Sequence, residues 1–78
     1  MEAQKSVPLN RLKLGATGRV GVLLPDARSR GRLADLGIVY GTEIRLLYKS
    51  PSGDPSAYLV RGAVIALRAD TAEKILMF

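Results

Sequence analysis

The 78-residue chain has no cysteine, no histidine and no tryptophan, and its aromatic side chains are three Tyr and one Phe. Without cysteine there is no disulfide framework, no thiolate zinc or iron–sulfur site and no thiol nucleophile. Without histidine there is no Ser-His-Asp triad, no imidazole acid or base and no His-based metal site. Long apolar runs are also missing. The stretch Val20 to Pro25 is interrupted by Gly21, whereas a membrane span takes ~20 apolar residues. Residues 1–6, Met-Glu-Ala-Gln-Lys-Ser, lack the apolar segment of a secretory signal. No internal repeat or low-complexity tract is present.

What is present is ordinary globular composition, 47% hydrophobic and 24% charged, with enough Gly (8) and Pro (4) for many turns. The length allows one small domain. We expect residues 1–6 to be a flexible tail and residues 7–78 a single domain, cytoplasmic and held by its core. Twelve basic residues, eight of them Arg, face seven acidic ones, for a net charge of +5. That balance suits an anionic partner: nucleic acid, an acidic protein face or a membrane surface.

Val7-Pro8-Leu9 reads as a short edge segment, since Pro8 cannot donate to a central ladder. Leu9, Leu12 and Leu14 lead into a tight apolar turn at Gly15. Gly18 to Leu24 alternates as a strand, with Val20, Val22 and Leu24 on one face and a bulge or bend expected at Gly21. Pro25 stops that strand and Asp26 caps a helix over Ala27 to Leu36, with Leu33 and Leu36 on one face and Arg28 and Arg32 stacked at i, i+4 on another. Gly31 inside it costs about 1 kcal/mol relative to Ala. Gly37 fits the left-handed position after the helix, and Ile38 can fold back on Leu33 in a Schellman motif. Val39-Tyr40-Gly41-Thr42 predicts a type II turn with Gly41 at the positive-φ position.

Glu43 to Tyr48 follows as a strand with Ile44, Leu46 and Tyr48 inward. Residues 49–56 form a loop of turn-forming residues. Ala57 to Arg61 and Ala63 to Arg68 are two strands joined tightly at Gly62, and the apolar run Val64 to Leu67 suits a central strand. Asp70 and Glu73 suggest a capping box. Leu76-Met77-Phe78 closes the chain as a short strand with Phe78 packed. The sum is all-β with a short helical insertion, a small barrel of about five strands.

Catalytic chemistry finds little support. Asp26, Asp35, Asp70 and Glu73 have capping or helix-surface explanations, Asp54 sits in a turn, and no spacing forces two carboxylates together. One carboxylate and two Ser around Asp54 are too few for a hard-cation site. No glycine-rich phosphate loop is present. Neither an enzyme, a cofactor nor a metal site is expected. RNA or single-stranded DNA binding is the alternative, with Tyr40 and Tyr58 as the aromatics available for stacking and Tyr48 and Phe78 assigned to the core. Protein–protein binding is the other class, with arginines as anchors: Arg28, Arg30 and Arg32 on the helix, Arg45, Arg61 and Arg68 on strands.

The run from Arg32 to Ile44, Arg-Leu-Ala-Asp-Leu-Gly-Ile-Val-Tyr-Gly-Thr-Glu-Ile, closely resembles the signature of the FeoA family of bacterial ferrous iron transport. The likeness continues through Pro51, Gly53-Asp54-Pro55, Arg61-Gly62, Ile65-Ala66-Leu67-Arg68, Ala72 and Ile75, about residues 7 to 76. Tyr40 departs from the Pro that the family often has there. The resemblance implies an SH3-like β-barrel, the fold also found as the C-terminal domain of diphtheria-toxin-repressor-type regulators. It implies a cytosolic, non-enzymatic accessory role at the FeoB ferrous permease, through contact with its GTP-binding part, and transition-metal binding only at the level of the family. For that contact the expected residues are Arg28, Arg30, Arg32, Leu33, Asp35, Tyr40, Arg61 and Arg68. No stable nucleic-acid complex is expected, and a weak homo-oligomer through the outer-face Leu47 or a strand edge stays open.

Overall fold

The computed structural model describes residues 6–24, 26–52 and 54–78. The stop at Pro25, the loop position Gly53 and all but Ser6 of the expected tail lie outside them. Six antiparallel strands follow in chain order: β1 (Val7–Pro8), β2 (Thr17–Leu23), β3 (Glu43–Lys49), β4 (Ser56–Val60), β5 (Ala63–Leu67) and β6 (Ile75–Met77). A helix, α1 (Ala27–Asp35), is inserted after β2, and a single helical turn, α2 (Ala69–Ala72), precedes β6. The strand order is β1-β6-β2-β3-β4-β5. The sixth strand, beyond the five or so expected, is the two-residue β1, which pairs with β6 through Val7–Met77 and Pro8–Leu76.

β2 joins the two halves of the fold. Its first residues pair with β3 (Thr17–Arg45, Arg19–Glu43), and its last with β6 (Val22–Leu76, Leu23–Ile75). The switch coincides with a register shift between Val20 and Val22, the bulge expected at Gly21. A side chain at Gly21 would meet the Phe78 ring at 2.5 Å, so that ring covers the bulge where a Cβ would displace it. The bulge also corrects the facing of this strand. Val20 is buried, but Val22 and Leu24 are exposed and Leu23 packs on the core instead. One extra residue reverses the alternation beyond it.

A second bulge does the same in β3. Its pairing with β4 shifts between Leu46 and Tyr48, so Ile44 and Leu46 are fully buried while Tyr48 turns outward and is 56% exposed. The core position expected for Tyr48 is filled by Tyr58 on β4, which is 1% exposed opposite Leu46 and Ile65. Burial raises the Tyr58 phenol above its ordinary pKa, with a Ser56 hydrogen bond acting in the opposite sense. The β5 run Ala63 to Leu67 is not central. It ends the strand order, with Val64 exposed and Leu67 buried. The core is Leu9, Val20, Leu33, Ile38, Ile44, Leu46, Tyr58, Val60, Leu67, Ala72, Ile75 and Met77. Full burial of an aliphatic side chain contributes about 1.5–3 kcal/mol.

α1 begins and ends as its sequence predicts. Asp26 accepts a hydrogen bond from the Ser29 backbone at 2.9 Å, which holds its carboxyl below the usual aspartate range. At the other end Ile38 N–H donates to Leu33 O at 2.8 Å and Gly37 N–H to Ala34 O at 2.9 Å, with Gly37 at φ +90°. These are the two bonds of a Schellman motif. Leu36 is the C-cap residue and is exposed, so among the described residues of the helix Leu33 is the one that packs in the core. At α2 the cap differs from expectation. Arg68 occupies the N-cap position without a side-chain bond, Asp70 falls in the first turn, and the acceptor for Ala69 N–H is Asp54 Oδ1 at 2.9 Å, from the 49–55 loop.

Candidate functional site

The segment 37–42 connects α1 to the sheet and organises the surface around it. Val39 to Thr42 is the expected turn, with Gly41 at φ +84° and Thr42 N–H bonded to Val39 O at 3.0 Å. Thr42 is buried because its hydroxyl works in both directions. It accepts from Val39 N–H at 3.1 Å and donates to Gly37 O at 2.9 Å. Gly41 N–H bonds Val20 O at 2.7 Å, and Val20 N–H bonds Thr42 O at 2.9 Å. The turn is therefore bound to β2 at the edge of the Gly21 bulge. It presents Tyr40, 74% exposed, whose ring lies 6.1 Å from that of Phe78. Phe78 is itself 44% exposed, so the end of the chain is paired to β2 through Arg19 rather than sunk in the core.

The expected contact residues divide among three places. Arg28, Arg30, Arg32 and Asp35 all lie exposed on α1. Leu33 is 4% exposed and belongs to the core, so its side chain supports the helix and does not offer itself to a partner. Arg61 joins the α1 end from another element. Arg61 and Gly62 form the two-residue connection of β4 to β5, both at positive φ (50° and 85°), as a type I′ turn requires. Arg61 was expected to end β4, but it is in the turn, and its stem lies against Gly37. Arg68 is at the other end of β5, beside Asp70 at 3.9 Å with both side chains about three-quarters exposed. A five-residue strand at ~3.3 Å per residue separates it from the Arg61 turn.

The register also brings together residues that the expected set omitted. Thr17 and Arg19 of β2, Glu43 and Arg45 of β3, and Leu59 of β4 share the outer face, since Thr17 pairs with Arg45, Arg19 with Glu43, and Arg45 with Leu59. With Gly41, Thr42, Arg61 and Gly62 they line a cavity of about 450 Å³, open on one side. Arg19 is held there by a bond from Nη1 to Gly41 O at 3.0 Å. The period-two alternation of each strand marks these positions as outward. What it cannot supply is which strand lies beside which.

Aromatic placement bears on base stacking. Of the two tyrosines taken as available, Tyr58 is in the core, and Tyr40 is paired with Phe78 and does not line the arginine-bearing cavity. Among the described residues no three His, Cys, Asp or Glu side chains group as a metal site. No helix among them is long and apolar enough to cross a membrane.

The sequence matches the model of the FeoA domain over residues 7–77. No curated protein matches it. Among solved structures, an FeoA-like protein from Clostridium acetobutylicum is 36% identical with a TM-score of 0.86, the match covering 97% of this chain and 88% of that one. FeoA of Chlorobium tepidum is 32% identical with a TM-score of 0.86, covering 92% and 70%. FeoA of Stenotrophomonas maltophilia, solved with zinc and described as a prokaryotic SH3 domain protein, is 30% identical with a TM-score of 0.78, covering 92% and 89%.

Proposed function

This chain belongs to the FeoA family, and from that premise we propose that it is a cytoplasmic accessory protein of ferrous iron uptake, acting by contact with the GTP-binding part of an FeoB-type permease. The observation that carries this reading is the family match over residues 7–77. The Stenotrophomonas relative is described as possibly acting as a bacterial ferrous iron transport activating factor. The role is one of binding, not catalysis. The residues that distinguish the family signature mostly build the α1 cap and the turn after it, a hydrogen-bonded segment that forms a solvent-facing ledge.

That ledge is the contact surface in this reading. Arg28, Arg32 and Asp35 lie on α1, Arg61 is seated on Gly37 at its end, and Tyr40 projects from the turn. Arginine and tyrosine are the side chains that most often dominate interface energetics, because each gives large planar contact with few freedoms to lose. Arg68 contributes from the far end of β5 if the partner spans the sheet. The test is an NMR titration of the labelled chain with the isolated GTP-binding domain of the ferrous permease of the same organism, with GDP and with a GTP analogue. Shifts concentrated over residues 27–42 and at Arg61 are expected. Unchanged spectra with both nucleotides would remove the reading.

A further inference from the structure

The cavity on the outer face of β2, β3 and β4 adjoins the ledge at Arg61, and its positive charge outweighs its negative charge. Arg19, Arg45 and Arg61 line it with a single carboxylate, Glu43. None of the three arginines makes an ion pair with Glu43 or with any other described carboxylate. Two of them are pre-positioned. Arg19 is fixed by its bond to Gly41 O, and the stem of Arg61 is laid on Gly37. Guanidinium forks held in place lose less freedom on binding than free ones. The floor is apolar at Leu59, and the next residue across, Val64 of β5, is 66% exposed.

We propose that this groove binds an acidic peptide segment of a partner protein, one in which Asp or Glu alternates with aliphatic residues. Three features select that ligand. The arginines stand on β2, on β3 and in the β4–β5 turn, with Glu43 opposite Arg19 in the strand register. Diagonal cross-strand neighbours are ~7–8 Å apart, so each arginine rises from its own backbone position and can take a separate carboxylate along an extended chain. The open side admits an extended chain, whose alternate side chains would meet arginines and the Leu59–Val64 floor in turn. No aromatic side chain lines the groove, so it lacks the platform on which single-stranded nucleic acid stacks. The inference rests on the accessory-protein reading only in assigning the segment to a partner.

The test uses the full ¹⁵N-labelled chain and a synthetic seven-residue peptide with Asp or Glu at odd positions and Val or Leu at even ones. Its Asn/Gln counterpart, inorganic phosphate and a uridine oligonucleotide serve as comparisons. The expected result is saturable shifts at Thr17, Arg19, Glu43, Arg45, Leu59 and Arg61 with the acidic peptide alone. Arg45→Glu should weaken binding at least tenfold, and Arg45→Lys, which keeps charge but loses the fork, only a few-fold. Well-dispersed spectra of both variants show that they fold. An equal response to the uncharged peptide, saturation of the same residues by phosphate, tighter binding of the oligonucleotide, or no response at millimolar peptide each overturns the proposal. Peptide binding without binding of the permease domain keeps the groove and removes the permease. The reverse keeps the permease and removes the groove.

Discussion

The stem of Arg61 rests on the backbone of Gly37, so closely that a methyl group at Gly37 would stand 2.5 Å from Arg61 Cδ. One contact thus joins the end of α1 to the β4–β5 turn and sets the position of an arginine shared by the ledge and the groove. Gly37 also sits at φ +90°. Gly37→Ala therefore carries two costs, left-handed backbone strain of about 1–2 kcal/mol and displacement of Arg61. A double-mutant cycle with Arg61→Ala separates them. We expect a coupling energy of about 0.5–1 kcal/mol in urea unfolding, with the strain remaining in the double variant.

Gly31 is the opposite case. It lies inside α1 with nothing within 4 Å of where a Cβ would stand, and its φ is not in the left-handed region. Gly31→Ala should stabilise the domain by about 0.5–1 kcal/mol, raising Tm by several degrees, while leaving the surface on either side unchanged. A lowered Tm would show that the helix position is constrained by something other than propensity.

Tyr48 and Tyr58 take the reverse of their expected places, Tyr48 outside and Tyr58 in the core. Tyr58→Ala opens a hole in the core and should cost about 3–5 kcal/mol, enough to leave a domain of this size largely unfolded. Tyr48→Ala, on the outer side of the β3 bulge, should cost under about 1 kcal/mol. Chemical denaturation of the two variants side by side checks the bulge directly, because an unbulged β3 turns Tyr48 inward and makes both substitutions costly.

The two acidic residues near α2 should also separate. Asp54→Ala removes the acceptor of Ala69 N–H and should cost about 0.5–2 kcal/mol. Asp70→Ala breaks only a long, exposed pairing with Arg68 and should fall within about 0.5 kcal/mol of the parent. Hydrogen exchange at the Ala69 amide gives the site-specific readout, faster in the Asp54 variant alone.

Asp26 links α1 to pH. Its folded carboxyl releases a proton more readily than in the unfolded chain, because the Ser29 N–H bonds the ionised form. Its stabilising effect is therefore complete above the unfolded aspartate value of about 3.9 and is lost as pH falls through the lower folded value. Asn caps as well but does not titrate. The Tm difference between the parent chain and Asp26→Asn should thus shift in favour of the variant as pH drops below about 4. A difference that stays constant would show that the carboxyl has the same pKa in the folded and unfolded chain.

The local features of this protein were determined by its sequence, because each depends on residues within one or two turns of chain. Asp26 and Gly37 bound α1, Gly41 shapes the turn, and Gly21 marks the bulge, each through a backbone preference that needs no distant partner. The family was legible for the same reason, since its signature is a run of such local devices. Tertiary structure decided the rest. Where each bulge reversed the alternation depended on which strand lay opposite, and so Val22 and Tyr48 went outward and Leu23 turned in, while Tyr58 faces the core on an unbroken β4. The cap of α2 came from Asp54, fifteen residues away. The arginine-lined groove exists only through register, which places Arg19, Arg45 and Arg61 around one cavity. Alternation states which side of a strand a residue faces. Only the closing of the sheet determines its neighbours.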